Sequence, residues 1–292
     1  MRPGVLLLGV TGLLGRAASA ELTRRGIQHH APTRETLDLS DLRALPARLT
    51  ALAPSAILNL AGFTDVAAAE RPERRAEALA LNVELPGVLA AFAERASIPL
   101  LHVSTDYVFD GEARAPYREP DATNPIQRYG EGKLAGERAA LERTRRALIA
   151  RTSTLYGPGR PQRPAYVDAI VAQARALAAE GGILRVVEHP VSSPTYAPDA
   201  APVLLDLLES EATGIVHVVN EGAASRLELA RAVVEEAGLS DRVYVAARGE
   251  TPGALRRPAY SVLDTAKLES LIGRRLPPWR DALSRYMREL AG

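Results

Sequence analysis

The sequence predicts an α/β fold: a doubly wound parallel sheet with a smaller, interleaved C-terminal domain. Three observations carry this. Short apolar runs alternate with longer helix-patterned stretches through the first half of the chain. A glycine-spaced loop joins the first such pair, and the alternation breaks after Ser153. Repeated strand–helix units give a parallel sheet covered by helices on both faces, and right-handed crossovers wind it in two directions.

Val5 to Leu8 is a short apolar run ending at a glycine, and it reads as the first strand. It is too short for a secretory leader. Leu13 to Arg25 has helical patterning, Ile27 to Thr33 is a weaker strand, and Leu42 to Leu52 is again helical. Ala56 to Leu60 is short and wholly apolar, as a buried strand should be. Glu73 to Arg95 is helical, with Pro86 expected to kink or break it. Ile98 to Ser104 and Ala147 to Thr152 are further strands, and a helix lies between them within Asn124 to Arg143.

Past Ser153 comes a loop, Gly157-Pro158-Gly159-Arg160-Pro161. A helix (Tyr166 to Glu180), a strand (Ile183 to Glu188), an apolar run that can rejoin the sheet (Ile215 to Val219) and a helix (Leu227 to Ala237) follow. Two more helices flank Pro277-Pro278-Trp279. The expected division is a dinucleotide-binding domain over 1–158 and 195–224, and a substrate-binding domain over 159–194 and 225–292.

Bulk properties narrow the function. The 292 residues carry a net charge of +1 with no basic stripe, which argues against a nucleic-acid partner. The absence of cysteine excludes disulfides and thiol chemistry and fits a reducing compartment. No apolar stretch reads as membrane-spanning, so a cytoplasmic protein without a membrane partner is expected. No metal ligand set is placed.

The loop Gly9-Val10-Thr11-Gly12-Leu13-Leu14-Gly15 follows a strand and opens a helix. In such a loop the first glycine permits the tight turn and the second admits a pyrophosphate to the backbone N–H groups. The third lets helix and sheet pack closely. The same glycines would also serve an ordinary strand–helix turn. An acidic residue about 20 positions on would mark a bare ribose. The chain instead has Thr33 and Arg34, suited to a 2′-phosphate, so NADPH is expected over NADH unless Arg34 is simply a surface residue. Asp38, beside Leu39, can face an adenine amine or cap the helix near Asp41.

Tyr129 and Lys133 are four residues apart and share a helix face. An ammonium nearby favours a phenolate and brings the phenol closer to working pH. Thr105, with Ser104 as alternate, ends the strand before that helix, and a hydroxyl there can bind a substrate carbonyl. If the fourth strand lies beside the first, this end faces the cofactor crevice. His102 reads as a core histidine.

His102-Val103-Ser104-Thr105-Asp106-Tyr107-Val108-Phe109-Asp110-Gly111 resembles the signature of dTDP-4-dehydrorhamnose reductases, in the extended short-chain dehydrogenase/reductase superfamily. Tyr129 to Glu137 resembles their catalytic helix, and similar segments occur at Asn59 to Glu70, Arg151 to Ser153, Arg257 to Leu263 and Leu276 to Trp279. The resemblance covers nearly the whole chain in order. It implies NADPH-dependent reduction of the C4 ketone of a dTDP-6-deoxy-4-ketohexose, with Thr105, Tyr129 and Lys133 as the catalytic triad. It implies a nucleotide-sugar partner and is compatible with a homodimer. It also implies Ala61, Gly62 and Asn82 along the cofactor, Asp106 and Tyr107 near the sugar, and Arg257 at the diphosphate. Thr154 stands where the family has Trp, so the sugar pocket is expected to differ. A sugar-nucleotide epimerase and a non-catalytic NADP-binding regulatory subunit are the alternatives.

Overall fold

The computed structural model describes residues 4–159, 164–210 and 212–291; Arg160 and Pro161 of the expected loop lie outside them. The first half runs β1 (Val5–Leu8), α1 (Leu13–Arg24), β2 (His29–His30), α2 (Leu45–Leu52), β3 (Ala56–Asn59), α3 (Val66–Ala69), α4 (Arg75–Leu79), α5 (Leu85–Ala96), β4 (Leu100–Thr105), α6 (Arg128–Arg143) and β5 (Ala147–Thr152). The second half runs β6 (Leu155–Tyr156), α7 (Tyr166–Ala178), β7 (Gly182–Val187), β8 (Val191–Ser192), β9 (Thr195–Tyr196), α8 (Ala197–Glu209) and β10 (Gly214–His217). It ends with β11 (Asn220–Glu221), β12 (Ala224–Ser225), α9 (Arg226–Glu236), β13 (Val243–Arg248), α10 (Ala266–Ile272), β14 (Leu276–Pro278) and α11 (Trp279–Ala291).

Six parallel strands form the main sheet in the order β10-β5-β4-β3-β1-β2. This is a doubly wound α/β sheet, but one expectation is corrected. β4 does not neighbour β1; β3 lies between them. After β2 the chain makes no further strand on that side, so Ala56–Asn59 takes the place beside β1. From β1 the chain winds first to β2 on one side and then to β3 on the other, so the strand order switches between β1 and β3, which puts the crevice there. The carboxyl end of β4 still opens on the same side, because every strand is parallel.

One face of the sheet buries Leu7, Leu58, Leu101 and Leu148 against α1 and α8. The other buries Leu6, Leu8, Ile57 and Ile149 against α2, α5 and α6. A separate core joins α7, α9 and α11 through Val167, Ile170, Val233 and Leu283 over the β7–β13 pair. Leu268 and Leu276, with Ile272, pack into the first of these cores, so the segment 266–276 sits with the sheet and not with the second core. α9 starts where Ser225 accepts from Glu228 N and Glu228 accepts from Ser225 N, a reciprocal cap.

The helix expected over Glu73 to Arg95 is not broken at Pro86. Pro86 sits in the first turn of α5, and the preceding residues Ala80–Glu84 widen into a π turn. A proline has no N–H for the carbonyl four residues back, and here that carbonyl is Asn82 O. α6 closes on it: a Cβ on Gly136 would lie 2.0 Å from Asn82 O. The whole run 72–96 is long and apolar enough to span a membrane by composition, contrary to the reading above. In the fold it is a core helix, with Leu85, Leu89, Ala90 and Ala93 fully buried.

Candidate active site

A cleft of about 430 Å³ opens at the carboxyl ends of β1, β3, β4 and β5. Of the expected residues it gathers Gly12, Leu13, Leu14, Gly15, Ala61, Gly62, Asn82, Ser104, Thr105, Asp106, Tyr129, Lys133 and Thr154. Thr33, Arg34, Asp38, Leu39, Tyr107 and Arg257 do not line it.

The glycine loop is built for close approach. Gly9 has φ +83°, and a Cβ there would lie 2.7 Å from the Leu60 and Ala61 backbone. A Cβ on Gly15 would lie 2.0 Å from Gly9 O. Gly12 N donates to Gly9 O (3.0 Å), and Arg16 N returns to Gly12 O (3.0 Å). The first-turn N–H groups of α1 therefore have no partner within the helix and sit at the cleft. Facing them, Asn82 pins the segment after β3: its Oδ1 accepts from Phe63 N (2.8 Å) and its Nδ2 donates to Phe63 O (3.0 Å). Such π turns recur at functional sites.

Ser104 Oγ and Thr152 Oγ1 are buried with no hydrogen-bond partner among the described residues, and both residues line the cleft. Buried polar atoms are normally paired, so these suit a polar ligand. With the glycine cradle, the donor set fits a dinucleotide carrying a polar ring substituent. Arg34 is 77% exposed and near Glu77 (4.0 Å). Asp38 accepts from Ser40 N (2.9 Å) and from Ser40 Oγ (2.6 Å). Those bonds hold its carboxyl below the usual range.

Thr105 ends β4, and its hydroxyl donates to Asp106 Oδ1 (3.0 Å) and accepts from Tyr107 N (3.2 Å). Asp106 is buried and also accepts from Ser153 Oγ (2.7 Å) and Ser261 Oγ (2.5 Å). Burial raises its carboxyl above the usual range, against the pull of these hydroxyls. Its oxygens are thus taken up by the Thr105, Ser153 and Ser261 hydroxyls, although the sequence suggested a sugar contact.

The Tyr129 phenol is raised, by burial first and then by the Asp106 carboxylate. This corrects the expectation that Lys133 lowers it. Lys133 Nζ instead donates to Val103 O (2.7 Å) and lies 3.3 Å from His102 Nε2. Burial lowers the Lys133 amine to about 8, with Glu137 opposing. Glu137 is held by Arg151 (Nη2–Oε2 2.7 Å), both buried, which ties α6 to β5.

Tyr107 packs edge-on to Tyr129, with ring centroids 6.0 Å apart. Burial raises its phenol, opposed by the charges of Arg257 and of Arg226, whose guanidinium lies 4.2 Å from the Tyr166 ring centroid. Arg257 is exposed and acts on Tyr107 and Arg226 through charge. The sequence reading missed Arg226. Its only local signal is its place directly after the Ser225 cap. It also missed Ser261, which reaches Asp106 from 155 residues away. Among the described residues no group of three or more His, Asp or Glu side chains could hold a metal ion.

Fold and cleft together define a doubly wound α/β protein with a glycine-cradled ligand site beside a phenol and an amine. Residues 1–291 match the model of the RmlD substrate binding domain family, and the chain belongs to that family. It is 34% identical over 285 residues to the spore coat polysaccharide biosynthesis protein SpsK of Bacillus subtilis, covering 98% of this chain and 97% of that one. It is 36% identical to a dTDP-4-dehydrorhamnose reductase of Mycobacterium tuberculosis, covering 96% and 91%. The dTDP-4-dehydrorhamnose reductase of Bacillus anthracis, solved in complex with NADP, superposes with a TM-score of 0.87 at 27% identity, covering 98% of each chain.

Proposed function

We propose that this chain is an NADPH-dependent oxidoreductase. It reduces the C4 ketone of a dTDP-6-deoxy-4-ketohexose, dTDP-4-dehydrorhamnose or a close deoxysugar analogue. The observation that carries the reading is the meeting of Thr105, Tyr129 and Lys133 at one wall of a cleft whose other wall is the glycine cradle.

NADPH, when bound, supplies the hydride that adds to C4. Gly9, Thr11, Gly12, Leu13, Leu14 and Gly15 would hold its pyrophosphate at the start of α1. Thr33 and Arg34 would hold its 2′-phosphate, and Asp38 and Leu39 its adenine. Ala61, Gly62, Asn82 and Ser104 would complete the cofactor site. Tyr129 gives its hydroxyl proton to the sugar O4 as the alkoxide forms. Its raised phenol keeps that proton in place at neutral pH. Thr105, fixed by Asp106, orients the Tyr129 hydroxyl, and Lys133 fixes the ribose. Thr154 and Tyr107 border the sugar, and Arg226 and Arg257 hold the diphosphate, so remote binding energy positions the ketone. The second core acts as the substrate-holding domain. A cytoplasmic homodimer is compatible with all of this.

An epimerase of the same fold would want an acidic residue after β2, where this chain has Thr33 and Arg34. A regulatory subunit would have no use for the Thr105–Tyr129–Lys133 group. The purified protein should oxidise NADPH only when a dTDP-4-keto sugar is added. Isomerisation of the sugar with no net oxidation would favour the epimerase, and NADPH binding without turnover the regulatory subunit.

A further inference from the structure

Ser261 is fully buried, lies outside the helices and strands, and no step above uses it. It belongs to a strap, residues 259–264, that is laced on both sides. On one side lies the segment after β4: Tyr260 N donates to Gly111 O (3.3 Å), Tyr117 N to Val262 O (2.8 Å) and Asp264 N to Tyr117 O (2.8 Å). On the other side lies β8, which pairs with β12 at the start of α9. There Val191 N donates to Ala259 O (2.9 Å), Ser261 N to Val191 O (2.8 Å) and Leu263 N to Ser193 Oγ (3.2 Å). The strap is seated closely. Gly111 has φ +86°, and a Cβ there would lie 2.6 Å from Ala259 N and from Pro258 Cα.

From this seat the Ser261 hydroxyl donates to Asp106 Oδ2 (2.5 Å), the oxygen that also accepts from Ser153 Oγ (2.7 Å). Ser153 directly follows β5, so Asp106 is gripped from the sheet and from the strap at once. Its other oxygen is left to the Thr105 hydroxyl (3.0 Å). An ionised carboxylate only accepts, so all three hydroxyls aim their protons at it. Two donors on Oδ2 stop the carboxylate from turning, and that settles which way the Thr105 hydroxyl faces. Arg257, two residues before the strap, acts on Tyr107 and Arg226 through charge. One short stretch of chain therefore carries both an arginine assigned to the diphosphate and the hydroxyl that grips Asp106.

We propose that Ser261 is a positioning residue that ties the diphosphate end of the site to the reaction end, by holding Asp106 and through it the Thr105 hydroxyl. What this does for turnover rests on the reductase reading. Thr105, Asp106 and Ser153 line the cleft and Ser261 does not, so Ser261 reaches the reaction only through Asp106. A buried carboxylate also needs its hydrogen bonds for stability alone. The two roles separate by experiment. A merely structural tie would loosen the strap and Arg257 with it, weakening nucleotide binding and lowering Tm. A positioning tie lowers kcat and leaves binding in place.

Ser261→Ala should lower kcat by about 10- to 100-fold, with Kd for dTDP and for NADPH near wild type by calorimetry. Ser193→Ala removes the other side-chain tie of the strap without touching Asp106; it should lower Tm and keep kcat near wild type. Ser153→Ala removes the second donor on Oδ2. The double variant Ser153→Ala/Ser261→Ala should lose less than the product of the single losses, because both act through one carboxylate. Ser261→Cys keeps the size and only a weak donor, and should show a smaller kcat loss of the same kind. Equal kcat losses in Ser261→Ala and Ser193→Ala, or losses confined to dTDP affinity and Tm, would overturn the proposal. So would wild-type kcat in both Ser261 variants. An independent reading uses the ligand-free protein. Tyr107 N donates to Thr105 Oγ1 (3.2 Å), so its ¹H–¹⁵N signal should move in Ser261→Ala and stay in place in Ser193→Ala. An unmoved signal in Ser261→Ala would overturn the hold on Thr105 whatever the wild type turns over. A moved signal, with no NADPH oxidation by the wild type, would sink the reductase reading and keep the tie.

Discussion

Glu137→Gln tests whether α6, which carries Tyr129 and Lys133, is held by the charge pair beneath it. Glu137 and Arg151 are 1% and 2% exposed, and the guanidinium reaches the carboxylate by Nε (3.0 Å) and Nη2 (2.7 Å). Arg151 Nη1 has no hydrogen-bond partner among the described residues, so this arginine has no reserve acceptor there. Removing one partner of a buried pair typically costs about 3–5 kcal/mol, because the remaining charge is left uncompensated. The glutamine carbonyl can still accept one of the N–H bonds, which places this variant near the lower end, about 3 kcal/mol. That is a large part of the roughly 5–15 kcal/mol a domain possesses. Urea unfolding of wild type and variant gives the difference from the midpoints at equal slope. The double variant Glu137→Leu/Arg151→Met, which removes both charges, should recover most of the loss. A single-variant loss under about 1 kcal/mol, or a double variant worse than the single, would refute the reasoning.

Four further outcomes follow. Tyr129→Phe should lower kcat by about 10²–10⁴-fold while NADPH binding by fluorescence titration survives; near-normal turnover would remove Tyr129 from proton transfer. Arg34→Ala should weaken NADPH far more than NADH, and equal losses would mean Arg34 does not touch the 2′-phosphate. Gly15→Ala should cost about 1–3 kcal/mol and at least tenfold in NADPH affinity, since its Cβ would lie 2.0 Å from Gly9 O and must push α1 off the loop; unchanged Tm and affinity would contradict this. Stability should fall as pH drops below about 6.5, the unfolded histidine value. His102 and His217 are buried and neutral, with His217 lowered to about 3, so the unfolded chain binds protons there that the fold refuses. The slope approaches roughly 1.4 kcal/mol per pH unit per histidine, and flat urea stability between pH 6.5 and 5 would count against it.

Much of the sheet was legible because its signals are local. Ala147–Thr152 was read to the residue, and the glycine loop marks where β1 ends and α1 begins. α8 was missed: Pro202 lies inside it, and the apolar residues crowd into its second half, so its periodicity is hard to see. β13 was missed for a different reason, since alternate residues Tyr244 and Ala246 face outward and only its pairing with β7 defines it. The strand order could not be read, because no residue records which side of β1 a later strand will join. The site divides in the same way. Tyr129 and Lys133 announce themselves by spacing on one helix. Asp106, Ser153 and Ser261 meet only in the fold, and the partners that set Lys133 and Tyr129 lie on other strands. Local sequence therefore pointed to the groups but gave the wrong sign for the phenol.

The central claim is that a hydride reaches the sugar carbon in this cleft. The most direct measurement is turnover of a dTDP-6-deoxy-4-ketohexose with NADPH deuterated at the nicotinamide C4, followed by NMR of the product. Deuterium at sugar C4, in a single configuration, is expected. A product without deuterium at C4, or an unreduced sugar, would contradict the account.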